Sequence, residues 1–185
     1  MTAEITAVHE ASHGFVHIML AREFGMNPAV SLRRLVLRSD GSGIVPTGRG
    51  FIDAEQYQTD EMRRVAQSGN VTASVNVLPS VIARVAEGVA GSMGEARYTN
   101  RPFMSILTHG SGVEDWKEMQ RYLESFGIPE ADRTRHIEQA VRCAETLLKK
   151  PRAWEVVLAL AAALLEKSEL SGAEAAQIVD QTMNG

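Results

Sequence analysis

The stretch Thr6 to Leu20, "TAVHEASHGFVHIML", sets two histidines four residues apart with a glutamate directly after the first. On an α-helix, residues four apart lie one above the other, so His9 and His13 can hold one ion between two imidazoles. Glu10 projects to the side of that pair, where a carboxylate can take a proton from water on the metal without being a ligand itself. This is the HExxH arrangement of zinc hydrolases. The apolar neighbours Val8, Phe15 and Ile18 partly bury the histidines, which then need a partner. The stretch therefore predicts a helix and, on it, a candidate zinc site.

Working outward, Thr2 is a capping residue and Glu4 an early acid, so the helix is expected from about Ala3 to Phe24, stopped by "GMNP". Next, "AVSLRRLVL" and "GSGIVPT" flank the turn residues "RSDGSG" and predict a β-hairpin. Asp53 to Gln67 has a polar helical pattern, and "SGNVTASVNVLP" is open between loop and strand. "SVIARVAEGVAGSMGEARY" predicts a helix rich in small residues with Ile82, Val85, Val89 and Met93 on one stripe. "TNRPFMSILTHGSG" reads as a loop. Helices follow over "VEDWKEMQRYLESFG", "ADRTRHIEQAVRCAETLLKK" and "PRAWEVVLALAAALLEKSEL", and a short last one is opened by Ser171. The expected architecture is a single, mostly α domain over residues 1–185 with a small β-hairpin near its start.

A catalytic zinc takes three protein ligands and a water, so the histidine pair needs one more His, Asp or Glu. His17 extends the series, but it lies about 12 Å from His9 along a helix axis, too far to share one ion; it reads as a residue of the helix face or a supporting group. Glu87 and Glu95 on the small-residue helix are candidates, as are Glu114 and Asp115 in "THGSGVEDWKEM". Spacing does not choose among them. His109 and His136 read as solvated, Trp116 and Trp154 as packing anchors, and Cys143 as a small core residue.

In order along the chain, several segments resemble the peptidase domain of the FtsH family, the membrane-bound ATP-dependent zinc proteases. "AVHEASHG" resembles its HEAGHA helix, with Ser12 and Gly14 in place of the usual glycine and alanine. "VSLRRLVLRSDGSGIVPTG" is similar to its hairpin, "VIARVAEGVAGSMGEARY" to its small-residue helix with acids, and "HGSGVEDWKEM" to its aspartate segment. The tail from Ala144 to Val179 has its closing pattern. The resemblance implies zinc held by His9, His13 and Asp115, with Glu10 activating water for hydrolysis of unfolded polypeptide. It also implies a homo-oligomeric ring and an ATPase partner that unfolds substrate, since no GxxxxGK[ST] phosphate loop is present here. The alternative is an inactive relative that serves as an interaction or structural module.

Composition excludes other classes. The 23 acids and 19 bases leave a net charge of -4 without a basic field, so nucleic acid is not expected as a partner. The single cysteine rules out an internal disulfide and fits a reducing, cytoplasmic location. No signal peptide is apparent at the start, and the longest apolar run, "VVLALAAALL", is about half of the roughly 20 residues of a membrane span.

Overall fold

The computed structural model describes residues 2–38, 43–44 and 71–185. Helix α1, Ala3–Glu23, begins where the Thr2 hydroxyl accepts the Ile5 N–H (3.4 Å) and ends at Phe24, with Gly25 in the left-handed region at φ 69°. Every residue from Thr6 to Ala21 is buried. A helix buried on all sides must be surrounded by other elements, and α1 is the central rod of this fold.

After α1 comes a single helical turn, α2 (Pro28–Ser31), where the sequence reading began a β run. Proline at the first position presets φ, and the Asn27 side chain accepts the Ala29 N–H at 3.0 Å, so local chemistry overrides the β-rich composition. Strand β1 (Arg34–Leu37) then pairs antiparallel with β2 (Gly43–Ile44), which is the expected hairpin; its turn lies outside the described residues. The other edge of β1 is taken by β3 (Glu169–Ser171), in the register Arg34↔Ser171, Leu35↔Leu170 and Val36↔Glu169. The sheet order is therefore β2-β1-β3. Leu35 points from β1 onto α1 at Gly14, where a Cβ would come within 2.7 Å of a Leu35 methyl group. Gly14 lets the sheet lie against the motif helix.

Helix α3, Val71–Thr99, is continuous through Pro79, so the described part (71–79) of the segment open between loop and strand is helical. From Val81 to Glu95 it is buried on nearly all sides rather than along one stripe, because α1, α6 and the short α4 and α5 surround it. The expected helix at Asp53 to Gln67 lies outside the described residues. Helix α4, Phe103–His109, replaces the expected loop: Pro102 starts it, and Ile106 and Leu107 are buried beneath it. Helices α5 (Val113–Ser125) and α6 (Glu130–Leu148) follow, the latter burying Ile137, Ala140, Ala144 and Leu147 at helical spacing.

Helix α7, Ala153–Lys167, packs on α1 and buries Val156, Val157, Leu160 and Leu164. It stops three residues before the expected Leu170, at Ser168 in the left-handed conformation (φ 63°), and the chain turns into β3. Ser171 ends β3 and opens α8 (Gly172–Asn184) with a reciprocal capping box to Glu174. Trp116 and Trp154 pack on the core, and Arg97 lies 4.4 Å above the Trp154 ring. Among the described residues, no helix is long and apolar enough to cross a membrane.

Candidate metal centre

Helices α1 and α3 run antiparallel, and their facing positions recur at intervals of four. His17 on α1 meets Glu87 on α3, His13 meets Gly91, and His9 meets Glu95. The imidazole Nε2 atoms of His9 and His13 turn toward Asp115, in the first turn of α5, at 3.0 Å and 3.5 Å from its Oδ2. One nitrogen from each histidine and one Asp115 oxygen lie within 4.8 Å of one another. A tetrahedral ion with bonds of about 2.0–2.1 Å spaces its ligand atoms about 3.3 Å apart. The observed separations of His9 and His13 from Asp115 bracket that edge length.

The opposite ring nitrogens are already engaged. His9 Nδ1 faces Glu95 Oε2 at 3.2 Å, and His13 Nδ1 faces the main-chain oxygen of Glu87 at 2.7 Å. Both partners are acceptors, so each Nδ1 donates to its partner, and Nε2 is the atom that can serve as a ligand once an ion displaces its proton. A carboxylate or carbonyl behind each histidine is the usual support of a metal-bound imidazole. Ser111, in the glycine loop before α5, donates its hydroxyl to the same Glu95 oxygen and ties that loop to the site. Gly91 forms the floor: a Cβ there would collide with His13 Nε2 and with His9 Cδ2 and Nε2. A two-histidine, one-carboxylate set with engaged Nδ1 atoms and a glycine floor can hold a metal ion.

Among the third-ligand candidates, Asp115 is the residue brought to the pair. Glu95 and Glu87 stand behind the rings, and Glu114 is exposed and bonded to Lys117 at 2.7 Å. His17 is buried, and it pairs with Glu87 (3.2 Å) and Ser31 (3.1 Å) rather than lying on an open helix face. Glu10 is buried beside the cluster, with its carboxyl against Gly43 of the edge strand β2. His109 is exposed and bonded to Thr108, whereas His136 is half-buried rather than solvated.

Charge is concentrated here. Burial by itself would lower the His9 imidazole, yet its hydrogen bonds to Asp115 and Glu95 raise it to about 10. Burial would raise Asp115, but His13 and His9 hold it well below the usual carboxylate range. Burial pushes Glu10 up, only partly opposed by His13 and His9. In metal-free protein, protons on the imidazoles would hold the histidines to Asp115. A raised histidine contributes stability that is complete below its unfolded value of 6.5 and is lost as pH rises through about 10. Chelator-treated protein is therefore expected to lose thermal stability from pH 6.5 to 10, whereas metal, which needs neutral imidazoles, reverses the trend. Melting curves across that range, with and without zinc, check this; a flat profile for chelated protein contradicts the assigned contacts.

No protein-family model matches this chain, and no curated protein or solved structure matches it either. Function must then be read from the chemistry of the site. The residues pointed to His9, Glu10 and His13, and the family resemblance to Asp115; they did not single out Gly91 or Ser111, and they offered Glu87 and Glu95 as candidate third ligands, where the structure places them as supports. The signal for those was the shared four-residue interval of His9-His13-His17 and Glu87-Gly91-Glu95 on two helices.

Proposed function

We propose that this chain is a zinc-dependent metallopeptidase domain of the FtsH kind that hydrolyses unfolded polypeptide. The observation that carries the reading is the convergence of His9 Nε2, His13 Nε2 and an Asp115 oxygen on one point, with the buried Glu10 carboxyl beside it. Zinc is the metal of choice for such an N,N,O set with room for a water, and it supplies a Lewis acid that acidifies water and polarises a carbonyl. His9, His13 and Asp115 hold the ion. Glu10 accepts a proton from the attacking water at its carboxylate and delivers it to the leaving amine nitrogen as the C–N bond breaks. The burial that raises the Glu10 pKa makes it a stronger base than an exposed glutamate.

The order of segments that resemble FtsH peptidase domains supports the same reading, including oligomer formation and dependence on an ATPase partner for folded substrates. Protein purified without added zinc is expected to hold one zinc per chain, and His13→Ala is expected to hold none. Removing the metal with a chelator removes ligand linkage of about 4 kcal/mol at a thousandfold excess over Kd. That lowers Tm by roughly 10 °C for a chain of this size. Unchanged Tm and no bound metal would reject the site. Stoichiometric zinc without cleavage of any disordered substrate would instead favour an interaction module that kept the metal.

A further inference from the structure

We propose that His17 is a positioning residue for the metal centre: by pairing with the Glu87 carboxylate, it fixes the turn of α3 whose main-chain carbonyl orients the His13 ring. The inference rests on the metal reading above and adds a residue that holds no metal itself. His13 Nδ1 lies 2.7 Å from Glu87 O, so the direction of that one carbonyl decides where His13 Nε2 points. In a helix this carbonyl also accepts the N–H of Gly91, the residue that forms the floor of the site. Its direction follows the rotation of the α3 turn about the helix axis.

What sets that rotation is the Glu87 side chain. It is buried (3% exposed), and its two oxygens are held from different sides, Oε2 by His17 Nδ1 and Oε1 by Arg84 Nη1, each at 3.2 Å. His17 is in turn fixed through Nε2 by the Ser31 hydroxyl at 3.1 Å, and Ser31 belongs to α2, capped by Asn27. The links run from α2 through His17 and Glu87 to His13, crossing three helices without touching solvent. Burying a carboxylate is costly unless it is paired, and removing His17 leaves one of the two Glu87 oxygens without its cationic or polar neighbour while Arg84 keeps the other. The pair therefore locks one arrangement of α1 against α3 at the level of the second histidine ligand.

Two amides separate the two contacts of the His17 ring. His17→Asn keeps a donor near the position of Nδ1 and so keeps the contact to Glu87. His17→Gln reaches instead toward Ser31 and loses the donor to Glu87. Cobalt(II) is the probe: its affinity comes from chelator competition, and its visible ligand-field bands report ligand geometry. His17→Gln is expected to weaken cobalt binding roughly tenfold and shift the bands, and His17→Asn to stay within about threefold of wild type. If both variants bind as wild type does, or both lose affinity equally, the positioning role is overturned. Should His17→Gln fail to fold, Glu87→Gln removes the same charge while leaving the carbonyl in place, and unchanged affinity there overturns it too. Wild-type protein that binds no cobalt sinks the metal reading and this inference together; wild-type binding with an unaffected His17→Gln sinks this inference only.

Discussion

Replacing Glu10 by glutamine is expected to lower cleavage of a disordered polypeptide by roughly 10³-fold, the usual scale for a lost general base, while zinc content stays at one per chain. The amide has the shape of the carboxyl, so the tight packing against Gly43 is kept. What is lost is the ability to take a proton from water. Stability should move the other way. Burial raises the Glu10 carboxyl above the usual carboxylate range, so the buried carboxylate carries a desolvation cost that an uncharged amide does not. Glu10→Gln is therefore expected to melt at or above the wild-type temperature. Loss of activity with undiminished stability is the pattern of a group kept for chemistry at the expense of the fold. Activity that persists in a zinc-loaded Glu10→Gln sample would remove Glu10 from the mechanism, and a lower melting temperature would mean that its carboxylate is structural.

Much of this architecture is legible in the sequence where one helix or one turn decides it by local rules. Thr2 and Gly25 bound α1, Ser171 with Glu174 opens α8, and the β-rich runs around "RSDGSG" pair as β1 and β2. The pair His9 and His13 needed only the pitch of one helix. The misplaced elements depend on partners distant in sequence. Strand β3 is three residues between two helices, too short for any periodicity, and exists because β1 offers it an edge. Helix α4 has no side-chain cap and gains its place by burying Ile106 and Leu107. The supports of the site are hidden for a similar reason. Glu95 and Glu87 as single residues are indistinguishable from ligands; only the antiparallel pairing of α1 with α3 places one carboxylate and one carbonyl behind the rings. Ser12 shows how closely the two helices interlock: its hydroxyl bonds to Val8 O at 2.7 Å, and only a glycine at position 94 leaves room for it.

That close approach leads to the other large effect. Gly91→Ala is expected to reduce metal binding more than 100-fold, equal to or beyond the loss of a supporting group, although it adds only a single methyl. The methyl would stand on His13 Nε2 and on His9 Nε2, the two atoms that face Asp115, so neither ring can keep its position. Helix chemistry alone predicts the opposite, since alanine in a helix interior is favoured over glycine by about 1 kcal/mol. Gly88→Ala, one turn earlier, separates the two contributions. Its methyl meets Met119 Cγ and Sδ at 2.8 Å, and a flexible thioether can move aside. Gly88→Ala should bind zinc as wild type does and melt no lower. If Gly91→Ala also binds zinc normally, the rings have freedom that this packing denies them, and the ion, if it binds at all, sits elsewhere. If both variants lose zinc equally, the spacing of α1 and α3 governs affinity rather than the floor beneath the imidazoles.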